Sequence, residues 1–156
     1  MKRIILTIFA LLLCAVCVTG CAKEAKPFDD IKADLEGLEV LSDTIKYTPD
    51  GENKLDADYL DYYFGNSDLV AEDYIFFTSS GTSVCEVGVF KVSDKAVQKD
   101  FTDAFKKRGE NLATIYENYS PDDTERAQNI KIGSTADYVW FSMTSDNAAV
   151  TDAINK

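Results

Sequence analysis

The chain has 156 residues, with 27 acidic and 16 basic side chains and a formal net charge of −11. A negative charge of this size argues against nucleic acid and anionic lipid headgroups as partners. The sequence contains no histidine, which excludes Ser-His-Asp and Cys-His catalysis and the usual zinc and iron sites.

Residues 1–20 have the layout of a secretory signal, with a positive start followed by an apolar run of about fifteen residues. The run closes with Val-Thr-Gly-Cys at Cys21. This ending resembles the lipobox of bacterial lipoproteins, in which Leu usually stands in place of Val18 and Ala or Ser in place of Thr19. The alternatives are a transmembrane anchor or a plain secretory signal, but a membrane span needs about 20 apolar residues. We therefore predict a lipoprotein signal peptide and a diacylglyceryl thioether on Cys21.

Cleavage before Cys21 would also remove Cys14 and Cys17. Cys85 would then be the sole free thiol, with no partner for an intramolecular disulfide, so the domain must be held by its core. Because the signal carries two basic residues and no acidic ones, the formal charge changes from −11 to −13. We predict a lipidated cysteine and short linker at 21–27 and a single α+β domain at 28–156, anchored to the membrane through Cys21.

Helical signals open the mature chain. Apolar residues from Phe28 to Leu38 recur at helical spacing and predict a helix that ends near Gly37. A second, shorter helix is predicted from Asp56 to Phe64, because Gly65 would stop it.

The region after residue 72 alternates hairpins and helices. Residues 74–78 and 84–92 predict two strands around a turn at 79–83, and 130–133 and 138–144 predict two more. Helix starts are predicted at Ser93-Asp94, Ser120-Pro121 and Ser145-Asp146. This order predicts an α+β fold, with an antiparallel sheet of about four strands (two hairpins) and helices packed on one face.

A family resemblance rests on the same region. The motif Glu-Val-Gly-Val-Phe-Lys at 86–91, a helix containing Arg108, the motif Tyr-Ser-Pro-Asp at 119–122, and Gly133 followed by Tyr138-Val139 resemble the lipoproteins grouped as domain of unknown function 4358. The resemblance covers roughly 28–156. It implies a lipoprotein on a Gram-positive (Firmicutes-type) cell surface, and it implies no activity.

Glu86 and Arg108 are the candidate site residues within the domain. Glu86 lies on a strand that is otherwise apolar on both faces, where an acid is costly. A long helix is predicted from Ser93-Asp94 to about Glu117, and Arg108 lies within its apolar stripe, whose members run from Val97 to Tyr119. The two side chains would form either part of a ligand pocket or a structural ion pair, unless the arginine extends to solvent.

Metal and nucleophile sites are not supported. An EF-hand register with Gly51 at the sixth position places Lys46 and Thr48 where ligands belong, so the loop fails. An irregular calcium site of Asp56, Asp58 and Asp61 is an alternative to a solvated helix face, which we prefer. Cys85 shares an alternating face with Val87 and is interpreted as a small buried side chain rather than a reactive thiol. We predict no catalytic residue, metal site or cofactor.

The first functional hypothesis is a non-enzymatic binding or interaction module. It would be lipid-anchored on the outer, extracytoplasmic face of the cell membrane, with an envelope protein or a small ligand as its partner. One alternative is a carboxylate-dependent hydrolase acting on cell-wall glycans, which requires two acids in one cleft about 5 to 9.5 Å apart. Another is a structural partner of an envelope complex, which an exposed apolar patch would favour.

Overall fold

The computed structural model describes residues 25–156, which form five α-helices, a short 3-10 helix at Glu39–Leu41 and one five-stranded sheet. The helices are α1 (Phe28–Glu36), α2 (Ala57–Phe64), α3 (Lys95–Tyr116), α4 (Pro121–Gln128) and α5 (Asn147–Asn155). The strands are β1 (Thr44–Tyr47), β2 (Asp73–Ser79), β3 (Glu86–Lys91), β4 (Lys131–Ser134) and β5 (Tyr138–Met143).

The sheet has the order β1-β2-β3-β5-β4, and every neighbouring pair is antiparallel. The β2–β3 and β4–β5 hairpins are joined at the centre, where β3 pairs with β5. The chain is therefore α+β, as predicted.

One face of the sheet is covered by α2, α3 and α4. Phe76, Phe90 and Phe141 project from the strands and are almost fully buried against Phe64 of α2 and Phe105 of α3. The rings of Phe105 and Phe141 lie 4.5 Å apart between centroids, within the range of favourable aromatic pairs. This aromatic layer is the larger part of the core.

The other face is covered by α1 and α5. Ile31 of α1 and Ile154 of α5 are buried against Val87, Val89 and Trp140 of the sheet. β3 is therefore buried on both faces, which is why both of its alternating sets are apolar.

Two parts of the predicted fold are wrong. The sheet has five strands rather than about four, because β1 pairs with β2 at an edge where only Tyr47 of its four residues is buried. So short an edge strand leaves little apolar alternation in the sequence. The helices pack on both faces rather than on one, because a sheet with apolar side chains on both sides must be covered twice.

The predicted helix boundaries are confirmed. The carboxylates of Asp94 and Asp146 and the hydroxyl of Ser120 accept backbone N–H bonds at the starts of α3, α5 and α4. α2 ends at Gly65, whose φ of 64° lies in the left-handed region that favours glycine. The predicted apolar stripe of α3 ends earlier than expected, because Ile115 is 66% exposed and Tyr119 is 74% exposed.

The segment before α1 is attached to one end of the sheet. The hydroxyl of Tyr138 donates to the carbonyl oxygen of Lys26. The ammonium of Lys26 donates to the carbonyl oxygen of Ala153 at 2.7 Å and pairs with Asp34. Because Tyr138 pairs with Lys91 in the sheet, this attachment lies at the end of β3 that is farther from Glu86.

Within 25–156, no helix combines the length and the apolar character that crossing a membrane requires.

The close packing around Gly88 gives a test of the core. An alanine Cβ at this buried position would lie 2.7 Å from the rings of both Phe90 and Phe141, so Gly88→Ala should lower the free energy of unfolding by about 1–3 kcal/mol. Gly81→Ala is the matched control, since its nearest atom would lie 3.9 Å away. Urea denaturation measures the free energy of unfolding of both variants, and equal losses of stability would contradict the described packing around Gly88.

Candidate functional site

Glu86 and Arg108 meet at the start of β3. The Nε atom of Arg108 donates to Oε2 of Glu86 at 3.1 Å, and Nη2 donates to Oε1 at 2.7 Å. The side chain of Glu86 is 6% exposed, and that of Arg108 is 14% exposed. This two-point geometry is the strong form of an arginine–carboxylate pair.

The strand register and the helix periodicity bring the two residues together. Glu86 faces the same side of the sheet as Phe90, two pleats along β3, and this side is covered by α3. On α3, Arg108 lies three residues after the buried Phe105 and four before the buried Leu112, so it faces the sheet as well.

Tyr63 and Thr78 complete the surroundings of the ion pair. The guanidinium carbon of Arg108 lies 5.3 Å from the centre of the Tyr63 ring, a cation–π arrangement. Thr78 is opposite Glu86 in the sheet, and its hydroxyl donates to Oε1 of Glu86 at 3.4 Å. The acid thus has a partner on each side.

The surroundings of the ion pair shift the pKa values of Arg108 and Tyr63. Burial lowers the pKa of Arg108, but the hydrogen bonds and charge of Glu86 outweigh it, and the net shift is upward. Burial, with the hydrogen bond to Tyr47 and the charge of Glu86, raises the pKa of Tyr63. Arg108 is therefore cationic and Tyr63 neutral throughout the ordinary pH range.

The ion pair lies at the base of a cleft of about 290 Å³. The β2–β3 hairpin contributes Thr78, Ser79, Gly81, Ser83, Val84 and Glu86 to its walls. The helices contribute Tyr62 and Tyr63 from α2, and Arg108, Leu112, Ile115 and Tyr116 from α3. Two larger depressions, of about 370 and 460 Å³, lie on either side of α4. The first is lined by Arg126, whose ion pair with Asp123 is more exposed than that of Arg108 with Glu86.

Several hydrogen bonds hold the hairpin wall of the cleft in place. The hydroxyl of Tyr116 donates to the carbonyl oxygen of Thr82. The carboxylate of Asp123 in α4 accepts hydrogen bonds from the backbone N–H of Val84 at 2.8 Å and from the guanidinium of Arg126 at 3.0 Å. The loop between β2 and β3 is thus tied to both helices that follow it, so the cleft is preformed.

Sequence reasoning missed most of the residues that line the cleft. The segment 79–83 was predicted only as a turn, and Tyr62 and Tyr116 only as members of helices. Their convergence depends on how α2 and α3 pack beside the β2–β3 hairpin, which periodicity within each element does not reveal.

The other sequence-derived candidates behave differently. Asp56 is the N-cap of α2, where its carboxylate accepts the N–H of Tyr59 at 3.0 Å. Within residues 25–156, no three acidic, cysteine or histidine side chains are grouped so as to hold a metal ion. Cys85 is half-buried and donates to the carbonyl oxygen of Val40 at 3.4 Å, and burial raises the pKa of its thiol. Cys21 lies outside the described residues.

The ion pair predicts a large stability effect when one partner is removed. Arg108→Met should lower the free energy of unfolding by about 3 kcal/mol, because it leaves the carboxylate of Glu86 buried without its counter-charge. The double variant Glu86→Met with Arg108→Met should recover a large part of the loss, since no buried charge remains.

Lys99→Met is the control for this experiment, since it breaks an exposed ion pair with Asp103 on the same helix and should change stability little. All four proteins are compared by urea denaturation. The assigned role of the Glu86–Arg108 pair would be contradicted if the Arg108→Met and Lys99→Met variants had the same stability.

Comparison with known proteins identifies one family. The sequence model of the family described as a domain of unknown function (DUF4358) matches residues 45–144. No curated protein and no solved structure matches the chain. The match spans α2, α3, α4 and nearly the whole sheet, including Glu86 and Arg108, whereas α1 and α5 lie outside it. The chain therefore belongs to the DUF4358 family.

Proposed function

We propose that the protein is a non-enzymatic binding module, anchored by lipid on Cys21 to the extracytoplasmic face of the cell membrane. Its ligand site is the cleft above Glu86 and Arg108. The observation that carries the binding role is a preformed cleft with a buried, two-point ion pair at its base. Small-molecule sites combine this kind of concavity with a few convergent polar groups.

The anchor is supported by the sequence alone. The apolar run at 4–18 ends in a lipobox-like motif, and Cys21 supplies the nucleophilic thiol that lipid attachment needs. Two acyl chains on this residue would hold the domain firmly, because each buried methylene contributes about 0.8 kcal/mol.

The fold favours an orientation in which the cleft is directed away from the bilayer. Lys26, five residues after Cys21, is bound at the Tyr138 end of the sheet, and five residues can span at most about 17 Å. The cleft lies at the Glu86 end of β3, which is about 17 Å farther along the strand. A ligand would therefore be met on the side of the domain remote from the membrane.

The lining of the cleft favours binding over hydrolysis. Glu86 is the one carboxylate among the described residues that line it, and both of its oxygens accept bonds from Arg108. A glycoside hydrolase of the two-carboxylate type needs a second acid on the opposite side of the scissile bond.

The anchor is tested by mass spectrometry of the mature N-terminus. The wild-type protein should begin at residue 21 and carry the mass of a diacylglyceryl group, and Cys21→Ala should lose that mass and leave the membrane fraction. Cys17→Ala is the matched control and should keep the lipid, because residue 17 lies within the signal. A wild-type chain without lipid, or an unchanged Cys21→Ala variant, would show that the anchor is assigned incorrectly.

The orientation is tested with a thiol-linked fluorophore in a Cys85→Ser background of the membrane-bound protein. A fluorophore at Asp29→Cys, an exposed position beside the Lys26 attachment, should be quenched by nitroxide-labelled lipid headgroups. A fluorophore at Tyr62→Cys, exposed at the cleft, should be quenched much less. Equal quenching at the two positions would rule out the proposed orientation.

A further inference from the structure

We infer that the cleft above Glu86 and Arg108 takes a neutral, hydroxyl-rich ligand, namely the end of an oligosaccharide chain. This inference rests on the proposed binding function and specifies its ligand class. Four properties of the cleft support it: the balance of charge, the unused hydrogen-bonding capacity, an exposed aromatic ring and a preformed wall.

The charges in the cleft cancel. Glu86 and Arg108 are the charged side chains among the described residues that line it, and they neutralise each other at 2.7 and 3.1 Å. An anionic ligand would have to compete with Glu86 for Arg108, and it would also be repelled by the strongly acidic chain. A cationic ligand would meet the guanidinium of Arg108. An uncharged ligand avoids both penalties.

Several hydroxyl groups that line the cleft make long contacts with other side chains, whereas Tyr116 donates a short bond to the carbonyl oxygen of Thr82 and Ser79 also accepts the backbone N–H of Gly81 at 3.1 Å. The contacts between Ser79 and Ser83, between Tyr63 and Tyr47, and from Thr78 to Glu86 are each 3.4 Å. Hydroxyl hydrogen bonds are usually about 2.7–2.8 Å long. Each of these groups can therefore exchange a long contact for a shorter bond to a ligand, and each can donate as well as accept.

Arg108 also retains hydrogen-bond donors. Nε and Nη2 bind Glu86, whereas Nη1 has no hydrogen-bond partner within residues 25–156. Since no buried side-chain nitrogen or oxygen in that range is unpaired, Nη1 is accessible to solvent, and Arg108 lines the cleft. It offers donors to an uncharged oxygen without breaking the ion pair.

Tyr62 provides an aromatic surface at the mouth of the cleft. Its side chain is 71% exposed although its ring centre lies only 4.9 Å from that of Tyr63. A sugar ring carries hydroxyl groups around its edge and C–H groups on its faces. Such a ring can cover the exposed face of Tyr62 while its edge reaches the hydroxyls of the hairpin, so the cleft matches both parts of a saccharide.

The size and rigidity of the cleft agree with this ligand. A volume of about 290 Å³ is at the lower end for small-ligand sites, so it suits terminal units of a chain. Because Tyr116 and Asp123 already hold the hairpin wall, binding need not order a loop, which removes part of the entropic cost of association. An acyl chain fits poorly, because it would remove water from lining hydroxyls whose internal contacts are long and would leave Nη1 without a partner.

The experiment uses the full-length chain extracted in a detergent without a sugar headgroup. Isothermal titration is carried out with neutral tetrasaccharides (tetramers of N-acetylglucosamine, glucose and mannose). Titrations with the glucosamine tetramer, which is cationic, and the galacturonate tetramer, which is anionic, provide the comparison. At least one neutral tetramer should bind at least about tenfold tighter than either charged one.

Tyr62→Ala should weaken that binding by about tenfold, as for an aromatic anchor of an interface. Tyr119→Ala is the matched control, because Tyr119 is 74% exposed but does not line the cleft. The affinity of this variant for the neutral tetrasaccharide should stay within about twofold of wild type. Both substitutions are at exposed positions, so both variants should fold.

The outcomes separate the ligand class from the binding function. A blocked tetra-alanine peptide is titrated as a further probe. If this peptide or a charged tetramer binds better than every neutral sugar, and Tyr62→Ala weakens that binding, the saccharide assignment is wrong while the binding function stands. If no probe binds, the saccharide assignment is overturned and the proposed binding function loses its support. Equal losses of affinity in the Tyr62→Ala and Tyr119→Ala variants would also overturn the assigned site.

Discussion

The ion pair between Glu86 and Arg108 connects the central strand to the long helix, and the rest of the site depends on it. It places a carboxylate and a guanidinium where the aromatic core ends and the cleft begins. Buried ion pairs seldom add much net stability, because desolvation offsets the attraction. A hydrophobic pair would close the core equally well, so the presence of two charges at the base of an open cleft agrees with a binding role.

The two-sided sheet explains why such a site can form at one end of the molecule. β3 is covered on one face by α1 and α5 and on the other by α2, α3 and α4. This packing on both faces holds the strand, including its first residue, Glu86, in place. The cleft is at the strand end opposite the Lys26 attachment. This separation of the Lys26 attachment and the cleft along one strand agrees with the proposed anchor on Cys21.

Much of the fold was predictable from local sequence signals. The N-caps at Asp94, Ser120 and Asp146 and the stop at Gly65 depend on neighbouring residues alone, and these predictions were correct. The two-sided coverage was also present in the sequence, since β3 has apolar residues in both alternating sets. That pattern requires helices on both faces of the sheet, whereas we predicted helices on one face.

The site was predictable only in part. Glu86 and Arg108 were recognisable because each is a charged residue in an apolar pattern, and this incongruity is visible without a structure. The tyrosines and the hairpin serines carried no such signal, because exposed Tyr and Ser are ordinary in helices and turns. The length of β1, four residues with one buried side chain, likewise left it below what periodicity detects.

The central claim is that the Glu86–Arg108 cleft is the ligand site, and NMR spectroscopy of the isotopically labelled chain tests it most directly. On titration with the neutral tetrasaccharides, the Arg108 guanidinium resonances and the amides of 79–83 should shift together and saturate together. The amides of α4 and α5 beside the depression of about 370 Å³ should not shift. Saturable shifts confined to that depression, or no shift at Arg108, would contradict the account.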